Sequence, residues 1–171
     1  MGACVALAVL AGCGEDAEPL PAAPDTIKLS TPDFEDGGAI PRELTCDGAG
    51  TAPTITWREV LGAAELVLFV EDLDAGFTHW TAYGISAAGG SGLAPQGRFP
   101  TGTEYGRNSG GETGWAPPCP PEGDDAHRYV FSLYALDKGL TLEPGASPEA
   151  VEGALKGALA RGTFTGTYKR G

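Results

Sequence analysis

Most of the chain is patterned in stretches of strand length. From Ile27, "IKLSTPDF" alternates apolar and polar positions and then breaks. "TITWREV" places Ile55 and Trp57 on one face, as a half-buried strand does. "AELVLFVED" is a continuous apolar run ending in acids, the pattern of a strand covered on both faces. "HWTAYGI" reads as a further strand. In "HRYVFSLYALD", residues 127–137, Tyr129, Phe131, Leu133 and Ala135 alternate with Arg128, Val130, Ser132 and Tyr134. "TFTGTY" closes the series. One segment has helical spacing. In residues 147–162, Val151, Ala154, Leu155, Ala158 and Leu159 form one apolar face. Ser147 is its expected N-cap, Pro148 its first residue, and Gly162 its stop. Residues 89–126 form a long Gly/Pro-rich excursion with little expected regular structure, a length that in a compact domain usually serves function. The pattern predicts one mainly β domain with many turns and a single short helix.

Composition sharpens this. With 27 Gly and 14 Pro in 171 residues, turns and short strands are favoured over long helices. The net charge of −12 excludes a surface that tracks a nucleic-acid backbone. It also disfavours direct binding to anionic lipid. The N-terminus is different in kind. Ala3 to Ala11 is uncharged and apolar, the length of a secretory core and too short to span a bilayer. "LAGC", Leu10 to Cys13, resembles the bacterial lipoprotein cleavage box, although no Lys or Arg precedes the apolar run. The expected organisation is a signal peptide over residues 1–12, a lipidated Cys13 opening a flexible Pro/Ala/acid linker over 13–27, and a domain over 28–170. The protein is then exported to the cell envelope and touches a membrane only through its anchor. Cys46 and Cys119 remain in the domain, either paired as a disulfide in an oxidising compartment or left as two buried thiols.

The chemistry-bearing residues are few. The sequence has no G-x-S-x-G elbow, no H-E-x-x-H, no P-loop and no G-x-G-x-x-G opening a helix. Its two histidines, His79 and His127, each begin a predicted strand just after a loop and stand near an aromatic, Trp80 or Tyr129. "EDLDAGFTHW" crowds Glu71, Asp72 and Asp74 close to His79. Loop ends of a sandwich gather at one rim, where such groups line a site. Imidazoles and a phenol donate hydrogen bonds to an anion, while carboxylates fix a histidine tautomer and favour its cation.

In order along the chain, "CDG" with "APTITW", "EDLDAGFTHW", "GRNSGGETGWAPPCPP" and "HRYVFSLYALD", followed by the helix and "GTYKR", resemble the phosphatidylethanolamine-binding protein family. The bacterial YbhB/YbcL, Raf kinase inhibitor-like branch is the most similar. The resemblance implies a Greek-key antiparallel β-sandwich whose small surface pocket binds phosphate-like anions without catalysis. Carried over, that pocket comprises Asp72, Asp74, His79, Pro118, Cys119, Pro120, His127 and Tyr129, with no cofactor and no metal. Leu73 and Gly76 replace two prolines of the family's "DPDAP", which predicts a looser loop. Pro117 replaces a glycine, and Trp115 stands where tyrosine is common. Two other functions compete with anion binding. One is inhibition of a kinase or peptidase through a protein surface. The other is metal-dependent hydrolysis on Asp72, Asp74, His79 and His127. Relatives of this kind pair as homodimers, so a dimer is a further expectation.

Overall fold

The computed structural model describes residues 20–87, 92–94 and 98–171; the expected signal peptide and Cys13 lie outside them. Two antiparallel sheets face each other. The smaller contains β1 (Leu29–Ser30), β2 (Ile55–Trp57) and β5 (Gly92–Ala94) in the order β1-β2-β5. The larger contains β3 (Glu65–Asp72), β4 (Phe77–Ile85), β6 (Glu104–Tyr105), β7 (His127–Leu136) and β8 (Ala160–Tyr168) in the order β6-β4-β3-β7-β8. Strand alternation divides the apolar run of β3 between two cores. Leu66, Leu68 and Val70 join Trp80, Phe131, Leu133, Ile55 and Trp57 between the sheets. Val67 and Phe69 point the other way and pack with Tyr83, Tyr134, Val151 and Leu155 beneath the helix. Burial of β3 on both faces is the physical reason its sequence is continuous and not alternating.

The helix α1 is shorter than its periodicity predicts. It covers Pro148–Ala154, with the Ser147 hydroxyl accepting from the Ala150 N–H at 3.3 Å. The chain then turns through Gly157 at φ +82°. Ala158 still packs on the second core, but Leu159 is exposed and donates its N–H to the Ala135 carbonyl. From Ala160 the chain pairs with β7, so Gly162, read as the helix stop, lies inside β8. Sheet pairing outweighs a weak helical preference here. A Cβ on Gly162 would stand 2.0 Å from the Ile27 carbonyl oxygen, because residues 24–27, like residues 37–40 further along, lie on the outer edge of β8. The N–H groups of Thr26 and Ile27 donate to the Arg161 carbonyl, and that of Ile40 to Thr167, which closes this sheet edge.

This edge also corrects the linker. Residues 20–27 are docked. Leu20 and Ala23 pack on the second core, the Tyr134 hydroxyl donates to the Pro21 carbonyl at 3.0 Å, and Ile27 is buried. Their Pro/Ala composition suggested a linker, but tertiary contacts absorb them.

Candidate functional site

The candidate site sits where β3 ends and β4 and β7 begin, on the sheet face that also carries the inter-sheet core. Register places Asp72 opposite Phe77 on one side and Tyr129 on the other. His127, two positions before Tyr129, shares its face. His79 reaches that face by an irregularity. Val70 pairs with Trp80 and Glu71 with Thr78, so β4 uses one extra residue, His79, between the two pairs. A bulge of this kind re-aims a side chain. Both His79 and Trp80 consequently turn toward Trp115, with ring centroids 6.2 and 5.6 Å from it. His79 also lies 5.2 Å from Tyr129, edge-on, and 4.7 Å from Phe77. Its burial among rings leaves 5% of it exposed.

Each imidazole has one nitrogen fixed. The Nδ1 of His127 is 2.7 Å from Asp72 Oδ2, and the Nδ1 of His79 is 2.7 Å from the Ala116 carbonyl oxygen. Neither oxygen can donate, so Nδ1 carries the proton in both rings. The environments differ in charge. The hydrogen bond to Asp72, with the charges of Asp72, Asp74 and Asp124, holds His127 above the ordinary histidine range against the cost of burial. Burial pushes His79 below it, the Ala116 hydrogen bond and the Asp72 charge opposing and the His127 charge adding. His127 therefore favours its cation and His79 its neutral form. The Nε2 of His127 faces Asp124 Oδ2 at 3.8 Å, beyond hydrogen-bond reach. The Tyr129 hydroxyl is buried with no hydrogen bond of good geometry among the described residues, and burial, followed by the charge of the nearby Asp72 carboxylate and its interaction with the hydroxyl, pushes its pKa upward.

The acids divide their work. Asp72 Oδ1 accepts the N–H groups of Asp74 and Ala75 at 2.9 and 3.1 Å while Oδ2 holds His127. That carboxylate closes the turn expected to be looser without the family's two prolines, and Gly76 sits at φ +61°, a conformation proline cannot adopt. Asp74 does not orient a histidine. It accepts the Arg128 backbone N–H at 2.7 Å and its guanidinium at 3.1 and 2.8 Å, which holds its pKa low. Glu71 faces the other side of the sheet, where burial and Glu152 raise its pKa.

The opposite wall is the segment 115–120. Pro118 and Pro120 are buried and Cys119 is exposed. Cys119 is bonded to Cys46, and the Cys46 N–H donates to the Pro118 carbonyl at 3.0 Å. Pro117 packs on Gly50, and the Ala116 N–H donates to the His79 carbonyl, so this wall is tied to β4 at both ends of one residue. Upstream, Asn108 folds the glycine loop. Its Oδ1 accepts the N–H groups of Gly110 and Glu112, and its Nδ2 donates to Gly114. Sequence reasoning missed three contributors: Ala116, which acts through its backbone, Asn108, and Asp47. Asp47 accepts the Tyr168 hydroxyl at 2.7 Å and pairs with Arg170 beside the disulfide. "CDG" was the available signal for Asp47; nothing in the sequence marks Ala116.

Among the described residues no group of three or more His, Cys, Asp and Glu side chains is placed to hold a metal. In the hydrolase reading both carboxylates are committed, Asp74 to Arg128 and Asp72 to His127 and two backbone N–H groups, and both Nδ1 atoms are bound, which leaves only the two Nε2 atoms as donors. That alternative is set aside on the donor set.

Comparison with known proteins agrees with this architecture. The family model described as phosphatidylethanolamine-binding protein matches residues 30–169. A Mycobacterium tuberculosis protein called "Putative lipoprotein LppC" is 41% identical over 155 residues, covering 88% of this chain and 76% of the relative. A UPF0098 protein of Methanothermobacter thermautotrophicus is 42% identical over 153 residues, covering 85% of this chain and 100% of the relative. Among solved structures, the homologue CT736 of Chlamydia trachomatis superposes with a TM-score of 0.76 at 32% identity, over 86% of this chain and 99% of that one. YbcL of E. coli gives 0.77 at 26% identity, over 85% and 99%. With its fold and these relatives in agreement, the chain belongs to the phosphatidylethanolamine-binding protein family.

Proposed function

We propose that this chain is an envelope-tethered binding protein of the YbhB/YbcL, Raf kinase inhibitor-like branch that takes small anionic ligands, a phosphorylated small molecule or a lipid head group, between His79, His127 and Tyr129. Its coarse part follows from membership: the family is one of generally non-catalytic small-molecule binding proteins, and this chain is not an enzyme. The observation that carries the finer reading is the His127–Asp72 pair. A buried imidazole at 2.7 Å from a carboxylate is a stabilised cation, and its second nitrogen makes no hydrogen bond among the described residues. The Tyr129 hydroxyl, beside Asp72 and without a hydrogen bond of good geometry among the described residues, supplies a second donor. The tether reading is supported by the "LAGC" box at Cys13 and by the lipoprotein name of a relative at 41% identity.

Phosphate at millimolar concentration is expected to raise the melting temperature of the wild-type protein, since a ligand that binds only the folded state stabilises it. His127→Ala removes that protection, with a loss of about tenfold or more in affinity. Equal protection of wild type and variant would overturn the assignment. For the tether, Cys13→Ser is expected to move the protein from the membrane fraction to the soluble envelope fraction.

A further inference from the structure

The two imidazoles offer unlike nitrogens. His79 gives its Nδ1 proton to the Ala116 carbonyl, so in the neutral ring Nε2 carries a lone pair and accepts. His127 gives its Nδ1 proton to Asp72, and as a cation it donates through Nε2. No hydrogen bond involves the Nε2 of His79 among the described residues. The groups around this ring are Asp72 from β3, His127 and Tyr129 from β7, Phe77 on β4 itself, and Trp115 with Ala116 from the wall. Asp72 is the acid among them, and both its oxygens are occupied, by His127 and by two backbone N–H groups. It has no spare reach with which to turn His79 into a second cation, and burial at 5% exposure works against one.

We infer that His79 is the specificity-determining residue of the site and selects oxyanions that still carry a proton: inorganic phosphate, and phosphomonoesters as the monoanion present below about pH 6, to the exclusion of phosphodiesters and sulfate. This rests on the anion-binding reading above and narrows it. A protonated oxyanion satisfies both nitrogens at once. One of its unprotonated oxygens accepts from His127, and its P–OH donates to Nε2 of His79. Sulfate and a phosphodiester are fully ionised near neutrality and have no proton to give. Their oxygen would meet the His79 lone pair, acceptor against acceptor, in a site where an unmade hydrogen bond is costly. A diester head group of the bulk membrane is rejected on the same ground, whereas a lipid phosphomonoester shares the selected chemistry with a free one.

Calorimetric titration of the full chain at about pH 5.5, below the second pKa of about 6 of a phosphomonoester, with inorganic phosphate, methyl phosphate, dimethyl phosphate and sulfate tests this. Phosphate and methyl phosphate are expected to bind at least about tenfold more tightly than dimethyl phosphate and sulfate. His79→Gln, whose amide presents either a donor or an acceptor, is expected to narrow that ratio to about threefold or less. Equal affinity of the wild type for all four anions overturns the inference and leaves the anion site standing. Failure of all four to bind overturns both. A measurement that needs no variant is nitrogen NMR of histidine-labelled protein saturated with phosphate. His79 Nε2 is expected to keep the shift of an unprotonated nitrogen, and a protonated Nε2 in the complex would overturn the inference. Vesicles of phosphatidic acid in phosphatidylcholine separate the sources: capture on them assigns the monoester to a lipid, and binding of methyl phosphate without capture assigns it to a soluble ligand.

Discussion

His79 and His127 are the same residue type on the same sheet face, and the protein makes them opposites. Burial lowers one pKa; the bond to Asp72 raises the other. Proton NMR titration is expected to show the two imidazoles titrating on opposite sides of the ordinary value of about 6.5. The signs carry into stability. His127 binds its proton more tightly folded than unfolded, so its contribution is complete below the unfolded pKa and is lost as pH rises through its raised folded value. His79 binds its proton less tightly when folded. Its contribution is complete above the unfolded pKa and is lost as pH falls through its lowered folded value. Asp72→Asn tests the link between them. It removes the carboxylate that favours the His127 cation, so the His127 titration is expected to shift downward while His79 loses an attractive charge and moves down less.

At the scale of elements, the site depends on two devices that pin segments without regular structure. The first is the disulfide, which joins the loop at Cys46 to the wall at Cys119 across 73 positions. On the chain-entropy account, closing a loop of that size stabilises the fold by about 4 kcal/mol. Reduction, or replacement of both cysteines by serine, is expected to lower the urea midpoint accordingly. It should also weaken phosphate binding, because the freed wall carries the carbonyl that orients His79. The second device is the edge strap on β8. Gly162→Ala drives a methyl group into the Ile27 carbonyl, backbone against backbone. The expected cost is on the order of 2 kcal/mol in equilibrium unfolding, with faster amide exchange at Thr26 and Ile27.

For the whole molecule, the consequence of the docked N-terminal segment is positional. With Leu20 on the second core, the proposed lipid anchor at Cys13 leaves six residues of sequence, 14–19, between anchor and domain. Six residues span at most about 20 Å, so on that proposal the domain is held close to its membrane. A chain starting at Leu20 is expected to be more stable than one starting at Asp25 by about 1–3 kcal/mol in urea denaturation. The shorter chain loses two apolar contacts and the hydrogen bond from Tyr134 to Pro21. Equal stabilities would show that this segment rests on the surface without energetic consequence.

Local pattern carried the sandwich. The unbroken run of β3, the alternation of β7 and the Ser147–Pro148 start of the helix are written in burial periodicity and capping chemistry, which act over a few residues. The residue types of the site were legible for the same reason: the chain has two histidines, each at a strand start, and one of them follows a cluster of acids at a strand end. What each one does was decided in three dimensions. Asp72 and Asp74 are two positions apart and chemically alike. The pleat and the turn send one to His127 and the other to Arg128. The helix ended early because β8 found β7, and the linker became a strap because β8 had an open edge. Ala116 acts through a carbonyl that every residue possesses, and only the folded chain brings it to an imidazole.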